Sequence, residues 1–315
     1  MNIPFIKYTK VYYIFSGILV IASLASLLIF GLQFSIDFSG GSILEVDFSS
    51  CGGSAIASCE GGENRPENSV IQEKLQDFDL GEMVIQPIGV NGVIIRMKEI
   101  DEDIHQQIIL RLQEIQPKID EKRFESIGPV IGKELRQKTI TLIIVSLVAL
   151  LAYITIAFRK ISRPLSSWQY GIISIITLFF DVLIPVSVFA ALGKFYNIQF
   201  NIPIIIALLT LLGYTINDKV VVFDRVRENL LKNKEGDFDA CVNRSLNQIL
   251  VRSISTGSCT LLVLLAIFFF GGETLKYFSL TLIIGIIVGT YSSLFLASPL
   301  LVSWQKHKNF ALRKS

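Results

Sequence analysis

Four charged side chains fall inside stretches otherwise long and apolar enough to sit in a bilayer: Asp181, Asp218, Lys219 and Arg252. A charge at that depth is costly, so it marks a site unless it reaches the headgroups or finds a partner. Lysine has that reach, and Lys219 reads as an anchor to the inner headgroup layer. A carboxylate is too short to follow it. Asp181 lies mid-span and must be protonated, paired or hydrated. Asp218 is followed by about two more helical turns before a cluster of basic residues. Arg252 opens the next apolar stretch at a similar depth, so the two can pair. An adjacent arginine favours an ionised carboxylate, and moving it away favours the protonated one. The chemistry these residues suit is proton carriage coupled to helix movement. Asp181 and Asp218 on consecutive spans would also suit an intramembrane aspartyl protease, in which two carboxylates share a proton. The second, however, lies in Thr-Ile-Asn-Asp beside Lys219 rather than in Gly-x-Gly-Asp, which sets that reading behind the first.

These residues need a membrane body to hold them, and the composition supplies one. Of 315 residues 51% are apolar and 18% charged, against about 25% charged in soluble proteins. Two histidines and four cysteines leave little for a metal centre or a disulfide scaffold, so no metal and no cofactor is expected. Spans of about 20 apolar residues cross a bilayer, and six are expected: 11–32, 139–158, 168–193, 201–223, 252–271 and 277–303. The first is too long for a signal-peptide core and no cleavage site is obvious after it, so it reads as a retained anchor. Basic residues favour the cytoplasmic side. With the N-terminus inside, Lys7, Lys10, Arg159, Lys160, Arg163, Arg225, Arg227, Lys232, Lys234, Arg244, Lys306, Lys308, Arg313 and Lys314 all lie inside, and short outer loops hold only Lys194 and Lys276. Residues 1–10 and 306–315 are then cytoplasmic tails and 33–137 an outer domain. That domain carries a charge of −9 and the remainder +11, within a chain of net +2, a pattern that gives no sign of nucleic-acid binding.

The outer segment is long enough to fold alone. Residues 41–48 alternate, with Leu44, Val46 and Phe48 opposite Glu45 and Asp47, the pattern of a half-buried strand. Strands are also expected at 83–88, 93–98 and 120–127, the middle two joined by a Gly-Val-Asn-Gly turn. Helices are expected at 68–78 and 101–116, the second capped by Asp101 and ended before Pro117. The order is β-α-β-β-α-β, a ferredoxin-like α+β domain set between the first two of six transmembrane helices. His105, beside Gln106 and Gln107, reads as solvated, and the many carboxylates as a wet surface. Such a domain suits contact rather than catalysis.

Smaller signals concern packing. Gly285, Gly289 and Ser293 are spaced to let helices approach closely. Asn197, Asn201, Thr210, Thr215 and Asn217 make the fourth span and its entrance polar, as for an interior helix. Cys51 and Cys59 bound a Gly/Ser/Ala-rich insertion; a disulfide closing that loop and two free thiols are both open readings. Cys241 and Cys259 read as small packing residues.

Phe34-Ser35-Ile36-Asp37-Phe38-Ser39-Gly40-Gly41, just after the first span, resembles the GIDFxGG segment of the SecF family, and Ile127-Gly128-Pro129-Val130-Ile131-Gly132-Lys133-Glu134-Leu135 resembles the element before its second span. Gly213-Tyr214-Thr215-Ile216-Asn217-Asp218, with Asp224, Arg225, Arg227, Glu228 and Asn229, resembles its GYSxND…DRxREN signature. Gly289-Thr290-Tyr291-Ser292-Ser293 matches its GTYSS. The likeness covers nearly the whole chain. It implies a non-enzymatic, multi-pass subunit of the bacterial inner membrane, related to the resistance-nodulation-division transporters. Such a subunit pairs with SecD, works beside the SecYEG channel, with YajC and YidC as further candidate partners, and contacts the translocating preprotein and membrane lipid. The energy source implied is the proton gradient, used to promote late steps of export, with the outer domain periplasmic. The family's proton-linked residues fall on Asp218 and Arg252, and its third-span acidic residue on Asp181. The alternative within the wider superfamily is a subunit of a proton-driven lipid or small-molecule exporter, but such exporters usually have twelve spans. Ser35, Lys219, Phe180, Gly257 and Cys259 depart from the family pattern, as does the cysteine-bearing insertion.

Overall fold

In the computed structural model, residues 3–48, 65–157, 167–232 and 237–314 are described. Cys51 and Cys59 lie outside the described residues. The chain divides into two compact units, one of residues 34–139 and one of residues 1–33 with 140–315.

The smaller unit begins with a one-turn helix, α2 (Ile36–Ser39), and the strand β1 (Gly41–Asp47). Then come α3 (Asn68–Lys74), β2 (Val84–Ile88), β3 (Gly92–Met97), α4 (Glu102–Ile115) and β4 (Asp120–Ile127). The four strands form one antiparallel sheet in the order β2-β3-β1-β4. Alternation along β1 sends Leu44 and Val46 into the core together with Phe48, and β3 adds Val93, Ile95 and Met97. The helices cover that face with Ile71, Leu75, Ile108 and Leu112. Gly89, with φ +58°, supplies the left-handed residue that the β2–β3 turn needs.

Two local expectations are corrected. Asp101 occupies the N-cap position of α4 but its side chain makes no capping bond. His105 is buried rather than solvated: its ring stacks on Phe124 at 3.8 Å, and Nδ1 lies 3.1 Å from Glu102 and Nε2 3.3 Å from Glu121. It follows the same helical stripe as Ile108 and Leu112, so its position on the helix outweighs its polarity.

The Gly-Gly pair has a steric reason. Ser35 caps α2 by accepting from the Asp37 amide at 3.2 Å, while its hydroxyl donates to the Asp37 carboxylate at 2.8 Å. Gly40 and Gly41 then turn at φ +77° and +127°. A side chain at Gly40 would meet Pro129 Cα at 2.8 Å, and one at Gly41 the Met97 carbonyl at 2.8 Å. The double glycine therefore lets β1 leave the turn directly against Pro129 and the end of β3.

The larger unit is helical. It holds α1 (Thr9–Phe30), most of α5 (Pro129–Ala157), α6 (Ser167–Tyr196), α7 (Ile202–Lys232), α8 (Phe238–Phe270), α9 (Glu273–Ser292) and α10 (Ser298–Lys314). A π turn, Ser293–Ala297, joins α9 to α10. Among the described residues six helices are long and apolar enough to cross a membrane. Several extend past the apolar runs that locate them. α7 continues to Lys232 and α8 begins at Phe238, because charged residues on an exposed face do not interrupt a helix. α6, α7 and α9 bury about half or more of their most apolar stretch against the rest of the chain, while α1, α5 and α8 leave most of theirs uncovered. α9 packs against α6, α7 and α8 together. The π turn lies just before Pro299, whose missing N–H breaks the regular hydrogen-bond ladder.

Candidate functional site

The centre of the helical unit is polar. Asp181 projects from α6 and is fully buried, and Lys219 from α7, equally buried, forms an ion pair with its Oδ2. Lys219 is therefore not an anchor to the headgroups. Thr215, one turn earlier on α7, lies on the same side, with its hydroxyl buried and lacking a hydrogen-bond partner among the described residues. Asp181 Oδ1 is likewise buried without one. Gly289 on α9 closes this group: a Cβ there would stand 3.1 Å from Thr215 Cβ and 3.7 Å from Asp181 Oδ2.

Asp218 belongs to the same turn of α7 but faces another pair of helices. Its Oδ1 accepts from Ser253 Oγ of α8 at 2.8 Å, and its Oδ2 accepts from Ser293 Oγ at the start of the π turn. Ser293 Oγ also lies 3.0 Å from the Thr290 carbonyl, an alternative acceptor within its own helix. The residue expected beside Asp218, Arg252, is exposed on α8, and no ion pair joins the two among the described residues. Successive residues on a helix diverge by about 100°. The buried stripe of α8 runs through Leu246, Ile249, Ser253 and Gly257, which turns Ser253 inward and Arg252 outward.

The small residues of α9 work in register with α7. A side chain at Gly285 would meet Leu211 Cγ at 2.9 Å, and Gly289 meets Thr215 as above. One further turn along, Ser293 reaches Asp218. The stripe thus brings the helix backbones together and ends on a carboxylate. On the other flank of α9, a side chain at Gly257 of α8 would stand 3.2 Å from Thr290 Oγ1. The polar residues of α7 divide differently from expectation. Thr215 is buried, whereas Thr210 and Asn217 lie on an exposed face of the helix.

The charged end of α7 is a separate network. Asn229 is buried and donates to Ser245 Oγ and Gln248 Oε1 of α8, both at 2.8 Å. Arg225 Nε donates to the same Gln248 oxygen at 2.8 Å and its guanidinium pairs with Glu228. Arg227 pairs with Asp224 at 3.3 Å, and Lys232 with Glu228 at 2.6 Å. These residues tie α7 to α8 rather than to the buried carboxylates. Asn229→Ala is expected to cost about 0.5–1.5 kcal/mol, the net worth of the hydrogen bonds by which the buried amide ties α7 to Ser245 and Gln248 of α8. Thermal unfolding of the purified chain would measure it, and an unchanged midpoint would remove Asn229 from the network.

The helical unit thus holds a buried acid–lysine pair and a second carboxylate bound by hydroxyls, and charges in such a setting mark a functional site in a multi-pass membrane protein. Comparison with known proteins gives the family. The model of the SecD/SecF protein-export membrane proteins, C-terminal part, matches residues 107–307, and the SecD/SecF GG motif matches residues 25–50. The protein translocase subunit SecF of Thermobaculum terrenum is 38% identical over 98% of this chain and 95% of its own length. That of Anaerolinea thermophila is 35% identical over 91% of this chain and 89% of its own. The crystal structure of SecDF, a translocon-associated membrane protein from Thermus thermophilus, matches 97% of this chain at 30% identity with a TM-score of 0.80. This chain spans 39% of that protein's length. A SecDF structure in a super-membrane-facing form matches at 29% identity with a TM-score of 0.69. The chain belongs to the SecD/SecF family of protein-export membrane proteins and aligns along its length with the SecF members.

Proposed function

We propose that this chain is the SecF-type subunit of a protein translocase, working with SecD in the bacterial inner membrane to promote late steps of preprotein export at the expense of the proton gradient. Both termini are cytoplasmic and residues 33–137 periplasmic in this reading, which the distribution of lysine and arginine supports. A helical partner is supported by polar groups at lipid depth that the chain itself leaves uncovered: Asn217 on α7, and Arg252, Ser255 and Thr256 on α8. Side chains of that kind favour protein neighbours over lipid. SecD is the partner proposed for that surface, and the SecYEG channel, with YajC and YidC, for the wider assembly.

The observation that carries the reading is the bonding of Asp218, which joins α7 to both α8 and the π turn after α9. An ionised carboxylate accepts from both serines. A protonated one has lost acceptor capacity and gained a donor. Ser293 can then turn to the Thr290 carbonyl, which lies within its reach already. Proton uptake at Asp218 thereby loosens α7 from its two neighbours, and proton release draws them together. The same helix carries the Asn229 network at its far end, so a shift of α7 is passed to α8. α5, which starts in the outer unit and ends in the helical one, is the covalent route to the outer domain.

Preprotein export into inverted membrane vesicles tests this, with ATP, channel and SecD held constant. Asp218→Asn keeps the shape but, like the protonated acid, offers one acceptor and one donor in place of two acceptors, and it cannot exchange a proton. It is expected to retain ATP-driven export and lose most of the stimulation by a proton gradient. Equal stimulation of wild type and Asp218→Asn would remove Asp218 from the coupling path.

A further inference from the structure

Asp181 and Asp218 lie in one helical unit but in different electrical settings. Asp218 is half-buried and meets hydroxyls. Asp181 is wholly buried and meets an ammonium contributed by the residue that follows Asp218. Among the described residues of the helical unit, Asp181 and Lys219 are the buried charged side chains. Among the described residues, the elements packed against Asp181 bring no competing charge. α7 presents Lys219 and Thr215, and α9 presents Gly289 and the serines after it. The Tyr291 hydroxyl of α9 is turned to Ser16 of α1 at 3.1 Å. Tyr13 of α1 is turned to Ser303, and Ser23 to Ser187 of α6. Arg252 of α8 is exposed and Asp218 turns to the serines.

We propose that Lys219 is a tethered counter-cation: it occupies the position an exchangeable cation would take beside Asp181, keeps that centre neutral through the working cycle, and so excludes Asp181 from proton carriage. The proposal rests on the coupling role given to Asp218 above, and it assigns proton exchange to that carboxylate alone. A buried ion pair of zero net charge is tolerated in a low-dielectric interior where a lone carboxylate is not. The position after Asp218 is also fixed by helix geometry. Residue 219 points inward with Thr215, Val222 and Val226, so a lysine there is delivered to α6 and not to the headgroups.

The consequence is specific. Without the ammonium, Asp181 must draw its compensating charge from solution, as a proton or a small monovalent cation. Asp181 Oδ1 and the Thr215 hydroxyl, both buried and lacking hydrogen-bond partners among the described residues, are the further ligands available to such an ion. Lys219→Met should therefore acquire a dependence that the wild type lacks. Its gradient-stimulated export should fall as pH rises, because Asp181 then loses the proton that neutralises it, and added sodium should offset the fall. Asp181→Asn/Lys219→Met removes both charges together and should lack that dependence.

The experiment is gradient-stimulated export in vesicles carrying the full chain with SecD and the channel, at two pH values and in sodium or potassium salt. For Lys219→Met a loss of about tenfold relative to wild type is expected for each pH unit above the proton affinity of the orphaned carboxylate. Recovery is expected at the lower pH or in sodium. The double variant is expected within about twofold of wild type, with the wild-type pH profile, since a neutral pair replaces a neutral pair. Two results overturn the proposal. One is a Lys219→Met profile that superimposes on wild type. The other is a double variant present in the membrane at wild-type amounts that no longer responds to the gradient, which would make the pair itself the proton carrier. If Lys219→Met does not accumulate, the double variant decides alone. Asp218→Asn is assayed in parallel. Its retention of the gradient response would end the Asp218 reading while leaving the counter-cation test intact.

Discussion

Asp181→Asn and Lys219→Met, taken singly, are each expected to destabilise the helical unit by about 3–5 kcal/mol, and taken together to restore most of the loss. The asymmetry follows from what each change leaves behind. Both groups are fully buried and each is the other's ion-pair partner. Removing one strands the other charge where solvation is poor. The penalty has a ceiling, because a stranded carboxylate or ammonium can be neutralised instead, at about 4–5 kcal/mol near pH 7. Removing both replaces an ion pair by a neutral one of similar volume, which buried sites generally accept. Thermal unfolding of the purified full chain in detergent, with wild type, the two single variants and the double run together, reads the effect directly. An additive double variant, as damaging as the two singles combined, would show that the two charges do not act as a pair. A Lys219→Met chain as stable as wild type would show that Asp181 needs no counter-ion.

How much of this was legible beforehand depends on which property of a residue the sequence exposes. Apolar length is readable, and among the described residues six helices are long and apolar enough to span a membrane. Alternation is readable, and Leu44, Val46 and Phe48 are indeed core residues of the smaller unit. The spacing of Gly285, Gly289 and Ser293 is readable as close packing, and α9 packs on α7 along it. What misled was residue type considered without helical phase. Lysine near the end of an apolar run reads as a snorkelling anchor, but α7 continues to Lys232, more than three turns beyond Lys219. The stripe Leu208, Leu211, Thr215, Lys219, Val222, Val226 was available as the signal that residue 219 faces inward. The same test separates Ser253, in phase with Ile249 and Gly257, from Arg252 beside it. It separates His105, in phase with Ile108 and Leu112, from the solvated Gln106. Apolar length was read well from hydropathy, and direction around the helix was not. The Asp218 partners could not have come from phase alone. They need α8 and the π turn to be brought to α7, which is a property of the packed unit.

Gly289→Ala is expected to destabilise the helical unit by about 1–3 kcal/mol through overpacking, against the helix propensity that favours it. Propensity alone would favour alanine over glycine by about 1 kcal/mol in a helix interior. The sign of the measured change therefore decides between the two effects. At Gly289 the added methyl has no room: its carbon would overlap the Thr215 methyl and stand 3.1 Å from Thr215 Cβ. At Gly213 the same substitution meets no atom within 4 Å, so propensity should act unopposed and Gly213→Ala should be neutral or slightly stabilising. The two variants differ in the surface each glycine faces and in nothing else of the substitution. Thr215→Ser removes the obstructing methyl and keeps the hydroxyl, so Gly289→Ala/Thr215→Ser should recover part of the loss. If Gly289→Ala is as stable as Gly213→Ala, α9 does not approach α7 as closely as the small-residue stripe requires. The site ties this packing to function, since the glycine that admits α7 also lies 3.7 Å, by its notional Cβ, from Asp181 Oδ2. Pushing Thr215 aside displaces the turn that carries Asp218 and Lys219. Export stimulated by a proton gradient should therefore fall in Gly289→Ala and return with the serine, in step with stability.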